Sequence, residues 1–359
     1  MIPYLEIRDK YTLKTVALVE PQEFWLELSY QDVGEFEIYC RASQANLKAL
    51  QKGRFVTIPN KRFIWVINAI QYTFTAGGAR MISAKGYEAK WLLNKRCILT
   101  PKELNGTITS ACYGLVNHAL GTRANAARKI AGFTVDTNDL LIDISGTQAP
   151  RGNLLEFVNA LLKQYNCGSI VEFENGKLKY RIFTGAVKTS SVKFTQSLDN
   201  LLSSDYLTDD AEKATFSLVV STVETEQTDG SKKDIEYLKE YNNGATGIDR
   251  AEIFTESNLS TKYEDADGVE QETTPDSALY QGWLYEEAKN KLAERTTKEE
   301  IHGEIDIANS NYTFDEDFFI GDIVRVQDEY FNFYLNTKIS KYTFKQDANG
   351  YGEEAEYGG

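Results

Sequence analysis

The sequence predicts an α+β fold that is rich in β-strands, with two small β-barrels on either side of an α+β insert. The chain contains 21 Tyr and 18 Phe residues, and aromatic side chains favour strands. Apolar and polar residues alternate near both ends of the chain, as in strands with one buried face. Between these regions the apolar residues recur at helical spacing, which predicts helices in the middle of the chain.

The chain is long enough for two or three domains, because it has 359 residues of which 42% are hydrophobic. Changes in residue pattern predict a first barrel at 1–86 and an α+β insert at 87–185. A second barrel follows at 186–346, interrupted by a loop and a helix at about 257–297. The last residues, 347–359, are rich in Gly and Glu and are predicted to form a flexible tail.

The first barrel is predicted from two alternating runs that a turn at Gly34 separates. Their apolar residues are Phe24, Leu26, Leu28 and Tyr30, then Phe36, Ile38 and Cys40. Residues 63–70 are apolar at nearly every position, which indicates a strand covered on both faces. Gly77 and Gly78 supply a hairpin turn after it.

The insert is predicted to contain short helices at 87–93 and 110–131, followed by a longer helix from Asn153 to about Asn166. Asn153 can cap that helix, and Glu156 lies at the capping-box position. Gly168 is predicted to end it. Asn175 and Gly176 then predict a tight hairpin, because both residues tolerate a positive φ.

The second barrel is predicted from strands at 192–194, 214–223, 234–241 and 301–307. The acidic segment 257–276 has no periodicity and is predicted to be flexible. It leads into a helix with Thr274 as its cap and Pro275 in its first turn. The predicted buried stripe of this helix consists of Tyr280, Trp283, Leu284, Ala288 and Leu292.

The stretch from Tyr312 to Phe344 predicts three strands joined by two tight turns, one of them at Gly321 and Asp322. Its alternation resumes at Phe331 and Asn332 and continues to Ile339. After Ile339 the apolar side switches to Tyr342 and Phe344, which predicts a bulge or a change of sheet.

Charge and cysteine content limit the classes of function. The net charge of −14 disfavours a surface that grips nucleic acid, since such binding depends on clustered positive charge. No apolar run approaches the roughly 18 residues of a membrane helix. The N-terminus lacks a signal-peptide pattern, so we expect synthesis in a cytoplasm. The four cysteines lie far apart and are expected to be reduced and buried: Cys40, Cys97, Cys112 and Cys167.

No catalytic, cofactor or metal site is predicted, and no phosphate-binding loop or dinucleotide motif is present. The only histidines are His118 and His302. His118 lies in a helical stretch near Cys112, but no acid is adjacent, so a packed or capping histidine is favoured over a dyad. His302 is expected on the exposed face of a strand.

The sequence offers three alternatives to a purely structural interpretation. The run Asp315, Glu316 and Asp317 could supply two carboxylates for glycoside hydrolysis, although such a run usually forms a solvated turn. Asp265, Asp267 and Gly268 resemble the middle of a calcium loop, but Tyr263 and Thr274 replace the expected first and last ligands. Exposed aromatic side chains could also stack on sugars, and packing in the barrels is favoured for them: Trp25, Trp65 and Tyr334.

Several segments together resemble the tail hub proteins of long-tailed siphophages, which are similar to the N-terminal hub region of tail-associated lysins. The resemblance spans most of the chain. It is carried by residues 33–38, 62–70 with 85–88, 92–98, 247–252 and 319–324.

The resemblance implies a homotrimer in which each subunit contributes two β-barrels, so that six similar positions match the sixfold tail tube. It implies a structural virion protein in the tail, made in the host bacterial cytoplasm, with no enzymatic activity and no cofactor. The expected partners are a distal tail protein ring and the tail tube above, and tip or receptor-binding proteins below. DNA would pass through the lumen without specific binding, and an acidic lining would keep it from adhering.

The chain differs from the lysin relatives because it ends at Gly359, where a peptidase or glycosidase domain would follow. We therefore expect their activity to be absent. The alternative function is a carbohydrate-binding receptor-recognition protein or a tail-associated hydrolase of glycans or peptidoglycan.

Overall fold

The structure is a computed structural model, which describes residues 4–74, 78, 80–144, 146–226, 231–265, 268–305, 310–330, 333–348 and 350–358. The first region contains β1 Leu5–Arg8, β2 Thr15–Val19, β3 Glu23–Ser29, β4 Glu35–Arg41, α1 Gln44–Ala49, β5 Phe55–Thr57, β6 Ile64–Phe74 and β7 Arg80–Glu88. The middle region contains a 3₁₀ helix Ala89–Lys95, β8 Cys97–Ile98, β9 Lys102–Leu104, α2 Ile108–Ala119, β10 Phe133–Val135, β11 Thr147–Ala149, β12 Gly152–Asn153, α3 Leu154–Gln164, β13 Gly168–Glu174 and β14 Lys177–Phe183.

The last region contains most of the remaining strands and one long helix. Its elements are β15 Lys193–Thr195, a 3₁₀ helix Gln196–Leu198, β16 Leu201–Asp209, β17 Phe216–Glu226, β18 Lys232–Asn242, a 3₁₀ helix Gly247–Asp249, β19 Glu252–Glu256, β20 Lys262–Glu264, β21 Glu270–Glu272, α4 Ala278–Ala293, β22 Lys298–Ile305, β23 Ile323–Asp328, β24 Phe333–Asp347 and β25 Gly350–Gly358.

A 13-stranded sheet joins the two ends of the chain. Its main path runs β16-β22-β25-β24-β3-β4-β7-β6-β5-β1-β2, and β23 and β15 branch from it at β24. The pairing of β24 with β3 places Phe344 opposite Leu26 and Tyr342 opposite Leu28. All four side chains are buried in one core. The protein is therefore mostly β with an α+β middle region, and no closed barrel is recorded among the described residues.

Strand β24 changes partner at the point where the apolar pattern switches. Its first half pairs with β23 up to Lys338, and its second half pairs with β3 from Lys341 onward. The register against β25 shifts between Ile339 and Lys341. The predicted bulge is confirmed, because one extra residue turns Tyr342 and Phe344 into the core.

The middle region has its own core between helices α2 and α3 and the sheet β10-β14-β13. Asn153 caps α3 as predicted, since its side chain accepts hydrogen bonds from the backbone N–H groups of Leu155 and Glu156. The hairpin turn is also confirmed, with φ values of 51° at Asn175 and 75° at Gly176. Helix α2 ends at Ala119, so the expectation of helix as far as residue 131 was wrong.

A separate three-stranded sheet, β18-β17-β19, packs on α4. The predicted stripe of α4 is confirmed, because all five of its side chains are buried. Two local predictions were wrong. The helix is capped by Ser277, whose hydroxyl accepts from the Tyr280 N–H, and not by Thr274. The segment predicted to be flexible contains the paired strands β20 and β21.

The C-terminal segment is not a flexible tail. Strand β25 pairs with β24 on one side and with β22 on the other, and Tyr357 is completely buried. The high Gly and Glu content made the strand pattern hard to recognise in the sequence, although Ala355 and Tyr357 alternate on its buried face. Every ladder bond of a central strand is satisfied within the sheet, which compensates for the weak strand propensity of glycine.

The described residues of the stretch from Tyr312 to Phe344 form two strands and not three. In place of the first, an isolated bridge joins Phe314 to Phe318 around Asp315, whose φ is 76°. The Asp317 carboxylate accepts from the Thr313 N–H at 2.7 Å, and this local bond favours a turn. Several residues named in the sequence analysis lie outside the described residues: Gly77, Asp267, Phe331 and Asn332. The end of the predicted strand 301–307 lies outside them too, because residues 306–309 are not described.

Candidate functional site

Cys112 and His118 do not form a catalytic dyad. Cys112 is completely buried, and burial raises the pKa of its thiol to about 12. His118 lies six residues further along α2, where burial, Lys102 and Arg123 lower its pKa. Residues six apart on a helix do not share a face, so the two side chains cannot act together. His302 belongs to β22, and its side chain lies outside the part that the structure describes.

The acidic run has a structural role. Asp315 forms an ion pair with Arg62, and Asp317 accepts from the backbone of Thr313. These partners hold a turn against the first region of the chain. The run therefore lacks the pair of facing carboxylates on separate elements that glycoside hydrolysis uses.

The segment that resembles a calcium loop is a hairpin turn between β20 and β21. The Asp265 carboxylate accepts from the Val269 N–H at 2.9 Å and from the Gln271 side chain at 2.9 Å. Gly268 has a φ of 80°, as the turn requires. Within the described residues, no group of three or more His, Cys, Asp or Glu side chains could hold a metal ion.

The three aromatic side chains do not form one sugar-stacking surface. Trp65 is completely buried and donates its Nε1–H to the Glu27 carbonyl at 2.7 Å. Trp25 is half-buried in β3. Tyr334 is 65% exposed, and the Arg325 guanidinium lies over its ring at 5.1 Å.

A buried ion pair fixes the first region to the middle region. Lys90 and Glu88 lie 2.7 Å apart, and both side chains are almost completely buried. The Lys90 ammonium also donates to the carbonyls of Ser29 at 2.6 Å and Ser169 at 3.1 Å. Burial lowers the pKa of Lys90 to about 7, while the nearby charge of Asp32 favours its protonated form. Three segments of the chain thus meet at one ammonium group.

Tyr30 connects the same regions to the C-terminal strands. Its hydroxyl donates to the Asn166 carbonyl at 2.8 Å, and its ring packs edge-on against Phe183 at 5.4 Å. A Cβ atom on Gly168 would lie 2.2 Å from this ring, and one on Gly321 would lie 2.3 Å from it. Only glycine permits the backbone to approach the ring this closely.

A second cluster of ion pairs, centred on Glu172, links the three regions. Glu172 is buried, and its carboxylate pairs with Arg62 at 2.9 Å and with Arg181 at 2.6 Å. Arg62 also pairs with Asp315 in the last region. Both guanidinium groups lie over the Phe319 ring, at 5.2 Å and 5.8 Å. These contacts hold the three regions in a defined arrangement.

The sequence pattern placed Tyr30 on the apolar side of a strand, but it did not indicate the contacts between regions that Tyr30, Lys90 and Glu172 make. Lys90 did offer a signal, because it is the one charged residue within the run from Ala89 to Leu93. The partners of the other two come from distant segments, which a local pattern does not show.

The surfaces available for assembly include both ends of the main sheet. At one end, β2 has β1 as its strand partner, and Val16 and Leu18 are 48% and 58% exposed. At the other end, β16 has β22 as its partner, and Tyr206 and Leu207 are 45% and 42% exposed. An edge strand with free backbone groups and apolar side chains is a template for pairing with another chain.

A cleft of about 660 Å³ separates α3 from α4. Phe157, Lys163, Glu286 and Glu287 are among its lining residues, so its surface is mixed in polarity.

No helix of the described residues is both long enough and apolar enough to cross a membrane.

The comparisons with solved structures identify the fold. A tail protein from Neisseria meningitidis MC58 is similar with a TM-score of 0.56 and 12% identity, and the match covers 99% of this chain and 96% of that chain. The 43 kDa tail protein of prophage MuSo2 from Shewanella oneidensis is similar with a TM-score of 0.58 and 12% identity, over 99% of this chain and 98% of that chain.

A comparison with curated proteins finds no match. The family model described as Siphovirus ReqiPepy6 Gp37-like protein matches residues 4–358. This match includes both ends of the main sheet, the middle region and the helix α4. The chain therefore belongs to the Siphovirus ReqiPepy6 Gp37-like family of siphovirus tail proteins.

Proposed function

We propose that the chain is one subunit of a homotrimeric hub ring at the distal end of a long phage tail. One observation carries the proposal: among the described residues a single sheet runs through the subunit and ends in an open edge on each side, on the different strands β2 and β16. Different surfaces at the two ends favour head-to-tail contacts, which close into a ring when the rotation between subunits allows it.

In this proposal β2 of one subunit lies beside β16 of the next. The N-terminal strands β1–β7 and the C-terminal strands β15, β16 and β22–β25 act as two barrel-like halves. Three subunits would then present six similar positions to a sixfold tail tube. The segments 1–86, 87–185 and 186–346 are the corresponding domains, with β25 added to the last one.

The ring would contact a distal tail protein ring and the tail tube above, and tip or receptor-binding proteins below. DNA would leave through its centre without specific binding, since each chain carries a net charge of −14. The role is structural and includes no enzymatic step.

Size-exclusion chromatography with light scattering tests the ring. We expect a particle with three times the 40.5 kDa mass of the chain. Leu18→Lys in β2 and Leu207→Lys in β16 place a charge on each open edge and should each shift the particle toward a single chain. Leu141→Lys is the control, because Leu141 is 80% exposed and lies outside both edges. A wild-type chain that stays single at high concentration, or edge variants that keep the trimer mass, would contradict the proposal.

A further inference from the structure

The outer face of the sheet β18-β17-β19 has no cover among the described residues. Helix α4 packs on the inner face, where the Tyr280 and Ser221 hydroxyls lie 2.6 Å apart. Side chains of directly paired residues point to the same face of a sheet. The outer face can therefore be read from the strand pairing.

Apolar side chains form a patch at the centre of this face. Leu218 is paired with Phe254, and Val220 is paired with Leu238. Phe254 is 62% exposed and Leu238 is 54% exposed. Phe254 and Leu238 lie on the two outer strands, and Leu218 and Val220 on the middle strand connect them into one continuous apolar patch. A continuous exposed patch, unlike scattered apolar side chains, is typical of an interaction site.

Carboxylates surround the patch. Glu240 is paired with Leu218, Glu256 with Val220 and Glu236 with Thr222, so all three share the outer face. They are exposed, and none of them has an ion-pair partner in the part of the chain that the structure describes. At the end of the patch, the Arg250 guanidinium lies over the Phe216 ring at 4.1 Å.

We propose that this outer face docks a different protein, through a lysine- and arginine-rich surface that carries apolar side chains. The apolar patch supplies the buried centre of such an interface, and the acidic rim supplies charge complementarity. A second copy of this chain is disfavoured, because packing the face on itself places carboxylates against carboxylates. Nucleic acid and anionic lipid are disfavoured for the same reason, since both carry negative charge.

Photo-crosslinking in assembled tails tests the proposal. A benzophenone amino acid replaces Phe254 in one variant and Leu238 in a second, and Tyr285 on the α4 side is the control position. From positions 254 and 238 we expect crosslinks to another tail protein, within a segment rich in Lys and Arg. From position 285, which is 42% exposed, we expect at least tenfold less of this product.

Charge reversal provides the second measurement. Glu240→Lys with Glu256→Lys should reduce the crosslink from position 254 at least tenfold, whereas Glu270→Lys on the separate strand β21 should leave it unchanged. Crosslinks only between copies of this chain would overturn the proposal, as would a contact segment without basic residues. In tails that contain the labelled chain, the absence of a crosslink from both positions would also overturn it.

Discussion

Gly321 and Tyr30 meet where the first and last regions of the chain come together. Gly321 has a φ of 89°, and a Cβ atom there would lie 2.3 Å from the Tyr30 ring. We expect Gly321→Ala to destabilise the protein by about 3 kcal/mol, through backbone strain of about 1–2 kcal/mol and overpacking of about 1–3 kcal/mol. Gly244→Ala is the matched control, because Gly244 has a φ of 95° and open space around it. Urea unfolding should show a larger loss for Gly321→Ala, and equal losses would contradict the role of the ring.

The buried ammonium of Lys90 should also contribute strongly to stability. Lys90→Met removes the cation beside Glu88 and leaves a buried carboxylate uncompensated, which costs about 3–5 kcal/mol. Lys213→Met removes an exposed ion pair with Asp210 and should cost at most about 1 kcal/mol. Chemical denaturation of both variants measures the difference. A loss for Lys90→Met as small as that of the control would show that the ammonium does not hold the regions together.

The buried carboxyl of Glu287 should make the stability of the folded protein depend on pH. Burial raises the pKa of this carboxyl above its usual 4.5. The hydrogen bond from the Ser257 hydroxyl lowers the pKa, but its effect is smaller than that of burial. The folded state thus binds the proton more tightly than the unfolded state. The stabilisation is complete at low pH and is lost as the pH rises through the folded pKa. We expect Glu287→Gln to be more stable than wild type at pH 7 and equal to it near pH 4, in thermal unfolding measured at both values. The exposed Glu270→Gln is the control, and a difference that does not change with pH would contradict the assignment.

At the scale of elements, β25 is an interior strand of the main sheet, paired on both sides. Tyr357 is completely buried, so Tyr357→Ala should cost about 3–5 kcal/mol, the range for large aromatic side chains. Tyr357→Phe should be neutral or stabilising, because the buried hydroxyl has no hydrogen-bond partner among the described residues. Tyr330→Ala is the control, since Tyr330 is 88% exposed. Thermal unfolding of the three variants separates a structural strand from a dispensable tail, for which Tyr357→Ala would have no effect.

Some elements of the fold could be predicted from the sequence and others could not. The stripe of α4, the cap of α3 and the bulge after Ile339 depend on neighbours within a few residues, so their patterns predicted them. Strand β16 was missed and β25 was read as a tail, because both gain their order from distant strands. The open edges and the acidic outer face likewise depend on pairing between segments far apart in the chain.

For the whole molecule, the balance between charge and apolar contact predicts how the ring responds to salt. Each chain carries a net charge of −14, so three chains repel one another at low ionic strength. The proposed contacts between β2 and β16 depend on backbone hydrogen bonds and apolar side chains, which salt does not screen. At 0.5 M NaCl the screening length falls to about 4 Å, from roughly 20 Å at 0.02 M, so the repulsion is largely removed. We expect the trimer fraction, measured by light scattering at fixed protein concentration, to rise with salt. A trimer that dissociates as salt is added would instead indicate that ion pairs between subunits hold the ring together.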